Sequence, residues 1–370
     1  MVGIRVARGS PQVNHLLFAD DTMFLCKTNP TCCGALSNIL KKYELASGES
    51  INLAKSAITF SSKTPQDIKR RVKLTLLIDN EGGIGKYLGL PEHLSRRKRN
   101  IFSSIVDRIR QRSHSWSSKF LSSAGKQFLL KAVLSAMPSD TMTCFKLSTS
   151  LCKQIQSVLT RFWWDTKQDE KKMAWVSWDK LTLPKNAGGL VFREIEEFND
   201  ALLAKLSWRI LKEPNSFLSR VLLGKNCNSS SFLNCSAYPS SASHGWRGIL
   251  AGKELLRKGL GWSAGQGDNI KVWSDAWLSP LIPFLPIGPP TLDNKALLVS
   301  DLICHDLKMW DITAIGKHLP QYEDQIRKIT INVLPLKDCM VWLPVKSGQY
   351  HQDRLCASQA KLTSGLTLGL

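Results

Sequence analysis

The sequence lacks the motifs that mark several common protein classes. It has no C-x-x-C pair, no H-x3–5-H pair and no G-x-x-x-x-G-K-[ST] motif, although it contains ten cysteines and seven histidines. These absences argue against a zinc finger and a P-loop ATPase. No apolar run approaches the ~18 residues of a membrane-spanning helix, and the start, MVGIRVARGS, has no signal-peptide core. We therefore expect an intracellular protein with reduced, mostly structural thiols and no membrane partner.

Acidic residues are also scarce. The 370 residues include 50 Lys and Arg but only 30 Asp and Glu, which gives a net charge of +20. Such a surplus repels itself unless an anion binds, and nucleic acid is the commonest anionic partner. An anionic membrane surface is the alternative, but the basic amphipathic segments are short. The length allows two or three domains of roughly 150 residues each.

Two adjacent carboxylates, Asp20 and Asp21, interrupt the apolar stretch NHLLFADDTMFLC. The flanking runs, 15–18 and 23–26, are β-prone, so the pattern predicts a β-hairpin with the acids at its bend. Paired carboxylates suit Mg²⁺, which prefers oxygen ligands, and two such ions can assist phosphoryl transfer. The apolar flanks are expected to exclude water and strengthen a cation contact. The alternative is an ordinary polar turn.

Two helices and a strand are predicted after this hairpin. Apolar spacing indicates a helix over Thr31–Ala46 that stops at Ser47–Gly48. A short strand is predicted over Ala57–Phe60. A second helix should follow, with Thr64 as N-cap and Pro65 at its first position.

Two further features of this part of the chain could act on a ligand. Lys55 precedes the predicted strand and could neutralise charge on a pyrophosphate leaving group, or be an ordinary surface lysine. The segment KYLGLP, Lys86–Pro91, could form a tight hairpin in which Gly89 allows a backbone to approach a ligand closely.

The segment from Arg96 to Lys131 is strongly basic. Apolar stripes at helical spacing predict two basic amphipathic helices joined around Trp116, the second ending at Pro138. One stripe comprises Ile101, Ile105 and Ile109, and the other Leu129, Val133 and Met137. The basic faces fit binding along a phosphate backbone, the alternative being a solvated surface. The segment has one acid, Asp107, against ten basic residues: Arg96, Arg97, Lys98, Arg99, Arg108, Arg110, Arg112, Lys119, Lys126 and Lys131.

The remaining chain carries weaker signals. Four tryptophans between Phe162 and Trp178 could stack on bases, but their apolar spacing favours core packing. An amphipathic helix is predicted over Asn199–Leu211, and the Ser-rich stretch 226–245 is predicted to be an exposed linker. The Gly-rich turn GQGD, Gly265–Asp268, needs no phosphate.

The order of these pieces resembles the reverse transcriptases of plant non-LTR (LINE-type) retrotransposons. The resemblance runs from about Met1 to about Tyr350 and rests on several segments in the family's order: FADD, SG…IN..KS, KYLGLP, LSSAGK, WVSWDKLTLPKNAGGLVFR, FNDALLAKLSWR and WSAGQGDNIKVWSDAWL. It implies an α+β fold: the C-terminal half of a palm, then a helical thumb and a mostly helical or irregular tail.

The resemblance assigns roles by position. Asp20 and Asp21 match the catalytic, Mg²⁺-binding carboxylates, and Lys55 matches the lysine near the incoming nucleotide's phosphates. Tyr87, Leu88 and Gly89 match the hairpin that grips the primer end. The basic helices match the thumb that contacts the template–primer duplex, through Arg96, Arg97, Lys98, Arg99, Arg108, Arg112, Lys119 and Lys126.

The chain departs from the family pattern at both ends. The fingers and the palm strand with the first catalytic aspartate are expected upstream of residue 1, so the two-ion site is incomplete. Near the other end, DCMVWLPVKSGQYHQDRL resembles the opening of a Cys/His module. The predicted segments are partial palm (1–92), thumb (93–150), Trp-rich helical region (151–225), linker (226–245), small C-terminal region (246–337) and truncated zinc-binding-like module (338–370).

These features predict a fragment of an RNA-directed DNA polymerase that is inactive alone. In the complete parent, its partners would be an RNA template, a DNA primer and dNTPs. The alternative is a non-catalytic nucleic-acid-binding relic or domesticated fragment, so enzyme activity stays open. The sequence leaves nuclear or cytoplasmic residence and the oligomeric state undetermined.

Overall fold

The computed structural model combines many helices with few, short strands. It describes residues 2–82, 86–91, 98–117, 121–165, 172–227, 231–235, 242–288, 290, 294–304, 306–307, 309–331 and 336–351. Two compact units are present: the first comprises Met1–Arg108 and Ile210–Ala242, and the second Ile109–Arg209 and Ser243–Leu370.

The helices begin and end as follows: α1 Pro30–Ser47, α2 Gln66–Leu76, α3 Lys98–Ser117, α4 Ser123–Leu129, α5 Ser139–Cys144, α6 Thr149–Trp164, α7 Trp178–Thr182, α8 Ile195–Lys212, α9 Phe217–Asn226, α10 His244–Arg257, α11 Ile312–His318 and α12 Glu323–Arg327. None of the described helices has the length and apolarity needed to cross a bilayer.

The described strands pair only as two-stranded antiparallel sheets. They are β1 Ile4–Arg5 with β2 Gln12–Val13, β3 His15–Phe18 with β4 Asp21–Phe24, β5 Lys86–Tyr87 with β6 Leu90–Pro91, β7 Leu260–Ser263 with β10 Cys339–Trp342, and β8 Ile303–Cys304 with β9 Met309–Trp310.

Helix α1 confirms the prediction made from apolar spacing. Asn29 caps its N-terminus by accepting a hydrogen bond from the Cys32 amide at 2.8 Å. Gly48 ends it with φ of 73°, a left-handed conformation that suits glycine. The cap residues therefore account for both ends of the helix.

The next two predicted elements differ from the structure. Pro65 has ψ of 150° and is the N-cap of α2, which has no side-chain cap. The prediction of Thr64 as N-cap and Pro65 as first helical residue was therefore wrong, because Pro65 keeps an extended conformation. The predicted strand Ala57–Phe60 reduces to one bridge, between Ile58 and Glu81.

The basic segment forms helices, but the second buries a different face. Ile105 and Ile109 of α3 are buried as predicted. In the second helix, Leu130 and Leu134 are buried instead of Leu129, Val133 and Met137, because this Leu-rich stretch offers two adjacent apolar faces. A π-helical turn, Leu130–Leu134, follows α4, and the Ser135 amide donates to the Leu130 carbonyl at 3.0 Å.

Aromatic side chains build part of the second unit's core. Trp178 stacks on Phe192 with ring centroids 5.3 Å apart, and Trp163 meets the same ring edge-on at 5.2 Å. These tryptophans thus pack in the interior, as their spacing favoured. Trp175 differs, with 79% of its surface exposed.

Two of the predicted segments have structural features that the sequence did not indicate. Strand β10 pairs with β7, so residues 339–342 form a sheet with residues 260–263 across the predicted boundary at residue 338. Within the predicted linker 226–245, Phe232 and Cys235 are buried, so this part is not an exposed linker. The Ser-rich composition of the segment conceals the apolar pair Phe232 and Leu233, of which Phe232 is buried.

Candidate metal and nucleic-acid site

The hairpin predicted around the Asp pair is present in the first unit. Phe18 pairs with Asp21, which leaves Ala19 and Asp20 as the two turn residues. Ala19 takes the left-handed conformation, with φ of 50°. This tight turn fixes two consecutive carboxylates at one end of the ribbon.

The prediction that the apolar flanks exclude water from these two acids was wrong. Leu17 and Phe18 are 66% and 62% exposed, and both aspartates are exposed as well. Among the described residues, β3 and β4 form a ribbon with no third strand beside it, and all four residues of β3 are exposed. The site is thus open to water.

The carboxylates of Asp20 and Asp21 have no hydrogen-bond or ion-pair partner in the part of the chain that the structure describes. Free carboxylate oxygens are the donors that Mg²⁺ takes, and this ion commonly uses one or two carboxylates together with waters or phosphates. The pair therefore fits part of a Mg²⁺ coordination shell. No larger His, Cys, Asp or Glu cluster that could hold a metal occurs among the described residues.

Lys55 lies in an exposed turn built by two asparagines. The Asn52 side chain accepts a hydrogen bond from the Lys55 amide at 3.0 Å. The Asn80 amide donates to the carbonyls of Ala54 at 2.8 Å and Ser56 at 3.3 Å, on either side of Lys55. Sequence reasoning missed both asparagines; Asn52 could have been found as an Asx-turn residue, whereas Asn80 is remote in sequence. Among the described residues, no ion pair joins Lys55 to an acid.

The KYLGLP segment forms the tight hairpin that was predicted. Tyr87 pairs with Leu90, so Leu88 and Gly89 make the turn. Both have positive φ, 50° and 77°, which is the pattern of a type I′ turn. The space beside Gly89 is open, so a ligand backbone can approach it closely.

Helix α3 exposes two of the predicted arginines on the flank of its buried face. Phe102, Ile105 and Ile109 are buried, whereas Arg108 and Arg112 are exposed. The predicted residues Arg96, Arg97 and Lys119 lie outside the described residues. Lys98 and Arg99 belong to α3, but their side chains are not among those described.

Lys126 has a partner inside the chain. Its ammonium group donates to the carbonyl oxygens of Trp163 at 3.4 Å and Asp165 at 2.7 Å, at the C-terminal end of α6. Burial lowers the pKa of this lysine, and the nearby Asp165 charge opposes that shift. In this structure the amine satisfies helix-end carbonyls that would otherwise be unpaired.

Comparison with known proteins gives two Arabidopsis thaliana relatives. One is an uncharacterized mitochondrial protein, 42% identical over 154 residues, which span 41% of this chain and 99% of that protein. The other bears the name "Putative ribonuclease H protein"; it is 30% identical over 271 residues, which span 70% of this chain and 43% of that protein. No protein-family model matches the sequence.

Proposed function

The chain belongs to the same family as an uncharacterized mitochondrial protein of Arabidopsis thaliana, and on that premise we propose that it derives from a plant retrotransposon. We propose further that it is part of a LINE-type reverse transcriptase, with a partial palm, a helical thumb and a tail. The observation that carries this proposal is the exposed Asp20–Asp21 pair at a two-residue hairpin bend. The match to a much longer relative also supports it, since this chain spans 43% of that protein.

The carboxylates of Asp20 and Asp21 would hold Mg²⁺ in the parent enzyme. When bound, the ion would activate a primer 3′-hydroxyl and neutralise phosphate charge. The turn residues Leu88 and Gly89 would lie against the primer backbone, and Lys55 would face the phosphates of an incoming dNTP. RNA template and DNA primer would be the macromolecular partners.

The basic face of α3 would bind the duplex. Arg108 and Arg112 are exposed beside each other, one helical turn apart, so both can reach one phosphate backbone. Each phosphate contact releases counterions, so binding should weaken as salt rises. We do not propose ribonuclease H activity for this chain, because only the name of one relative suggests it, and the match covers 43% of that relative.

A second candidate function is nucleic-acid binding without catalysis. The same arginine face favours it, because it needs neither a metal nor the hairpin acids. The two candidates differ in what they require of Asp20 and Asp21, and this difference can be measured on the chain itself.

The first experiment measures binding to a labelled RNA–DNA duplex by fluorescence anisotropy at several salt concentrations. The Arg108→Glu/Arg112→Glu variant should bind at least about tenfold more weakly, with a flatter salt dependence. Lys41→Glu/Lys42→Glu, an equal charge change on exposed residues of α1, is the control and should lose much less. Equal losses in both variants would refute a duplex site on α3.

The second experiment follows Mn²⁺, a paramagnetic substitute for Mg²⁺, by NMR line broadening. The proposal expects broadening around the hairpin turn that disappears in Asp20→Asn/Asp21→Asn. Duplex binding without such broadening would favour the non-catalytic candidate. Primer extension by the chain alone should give no product, and an Asp20-dependent product would overturn that expectation.

A further inference from the structure

A groove of about 520 Å³ lies in the second unit, and its lining residues do not include those matched above to the catalytic site, the primer hairpin or the thumb. One wall is a face of α6, and the other is the short segment 172–174. Its lining residues include three that carry charge, and all three are basic: Lys153, Arg161 and Lys172.

The basic residues are arranged to meet an extended anion. Lys153 and Arg161 are eight positions apart on one face of α6, which places them about 12 Å apart along the helix axis. The amines of Lys153 and Lys172 have no ion-pair partner in the described part of the chain. Arg161 lies 3.7 Å from the Asp165 carboxylate, which is not a lining residue, and its own side chain remains 48% exposed.

Polar and aromatic groups complete the groove. Gln156, Ser157 and Thr160 line it between the two ends of the basic row. The Trp164 indole also lines it, and its buried N–H has no hydrogen-bond partner among the described residues. Trp175 directly follows the lining residue Ala174 and is 79% exposed, which is unusual for so large an apolar ring.

We propose that this groove binds single-stranded nucleic acid. Lys153, Arg161 and Lys172 would contact successive phosphates, and Trp175 would stack on a base. A volume of this size suits nucleotide-sized ligands, not a whole duplex, and a basic groove next to an exposed aromatic ring is the usual arrangement for single strands. The proposal does not rest on polymerase ancestry, because it uses no residue of the hairpins or of α3.

The test measures anisotropy of a fluorescein-labelled RNA oligonucleotide of about ten residues with the full chain. A DNA oligonucleotide of the same sequence and an RNA–DNA duplex provide the other arms. Lys153→Gln/Arg161→Gln should weaken single-strand binding by roughly tenfold and lower the salt slope by about 1.4, since each contact on a single strand contributes about 0.7. Trp175→Ala should weaken it at least about fivefold.

Matched controls separate this site from general charge. Lys180→Gln removes charge from an exposed lysine of α7, and Phe128→Ala removes an aromatic ring that is 68% exposed. Both should bind single strands nearly as the unmodified chain does, and circular dichroism verifies that every variant folds. The Arg108→Glu/Arg112→Glu variant should lose duplex binding but keep single-strand binding.

Three outcomes would overturn the inference. The first is an equal loss of single-strand affinity in the groove and control variants. The second is that the α3 variant loses as much single-strand binding as the groove variant. The third is that the groove binds duplex more tightly than either single strand. A preference of RNA over DNA, or the reverse, would identify which strand the groove takes, and equal affinity for both would mean that it reads phosphates and stacking alone.

Discussion

The side-chain amide of Asn80 donates a hydrogen bond of 2.8 Å to the carbonyl oxygen of Ala54, 26 positions earlier in the chain. The same side-chain amide donates to the Ser56 carbonyl at 3.3 Å. The backbone carbonyl of Asn80 also accepts a hydrogen bond from the Ile58 backbone amide, at 2.9 Å. One residue thereby fixes the backbone on both sides of Lys55. The direction of that lysine depends on a side chain that no local sequence pattern connects to it.

Substitution of Asn80 by Ala should loosen the Lys55 turn. The lost hydrogen bonds predict a fall of about 1 kcal/mol in the free energy of unfolding of the first unit, with faster amide exchange at residues 54–58. Urea unfolding and hydrogen exchange by NMR measure both effects. Asn38→Ala, at an exposed position of α1, is the control and should leave exchange in the turn unchanged. Unaltered exchange in Asn80→Ala would show that Asn52 alone holds the turn.

Elements set by neighbouring residues were predictable from the sequence. The Asp hairpin and the Leu88–Gly89 turn were expected from turn-forming residues between apolar or β-prone runs, and both are present. Helix α1 was predicted to within one residue at each end, because Asn29, Pro30 and Gly48 act through local backbone geometry. Local chemistry determines these elements, so a single sequence suffices to find them.

Features that depend on tertiary packing were not predictable. The Leu-rich stretch after α4 could bury either of two faces, and packing selects Leu130 and Leu134. Phe18 is exposed because no third strand lies beside the ribbon in the described structure. The alternation of apolar and polar residues in the sequence does not show how many strands a sheet will have. The Lys126 contact with Asp165 spans 39 positions. Predicting each of these features requires knowing which distant segments of the chain are in contact.

The C-cap of α2 offers a test of backbone strain. Leu77 is the C-cap of this helix, has φ of 57° and is 70% exposed. Because the left-handed conformation disfavours a side chain, Leu77→Gly should raise the free energy of unfolding by about 1 kcal/mol. The same substitution at Leu74, equally exposed but inside the helix, should lower it by about 1 kcal/mol. Urea unfolding of both variants gives the comparison, and changes of the same sign would contradict the assigned cap geometry.

Asp338 fills an anion-binding backbone turn in the second unit. Its carboxylate accepts hydrogen bonds from the amides of Gly265, Gly267 and Asn269, each at 2.8 Å. This internal anion supplies what a phosphate would otherwise provide, so the Gly-rich turn GQGD has a structural role here. Asp338→Ala would leave three amides without their acceptor.

We expect Asp338→Ala to destabilise the second unit by about 2–4 kcal/mol, since hydrogen bonds to a charged group contribute about 1.5–3 kcal/mol each and water recovers part of the loss. Thermal unfolding measures the effect. Asp268→Ala removes an exposed carboxylate from the same turn and should change stability by less than about 0.5 kcal/mol. Comparable losses in the two variants would mean that the Asp338 contacts contribute little.

Cys152 makes stability depend on alkaline pH. This thiol is buried in α6, and burial raises its pKa to about 12, with the negative charge of Glu196 acting in the same direction. Below about pH 9 the thiol is protonated in both folded and unfolded chains. Between about pH 9 and 12 the unfolded chain releases this proton while the folded chain retains it, so the free energy of unfolding falls as pH rises.

The loss should be about 1.4 kcal/mol per pH unit in this range, and Cys152→Ala should remove that contribution. Urea unfolding at pH 8, 9 and 10 measures the slope in each chain, so the constant effect of the cavity left by the substitution cancels. Cys339→Ala, at an exposed cysteine, should keep the slope of the unmodified chain. If Cys152→Ala and Cys339→Ala have the same slope, the buried thiol does not control alkaline stability, and deprotonation of other groups must account for it.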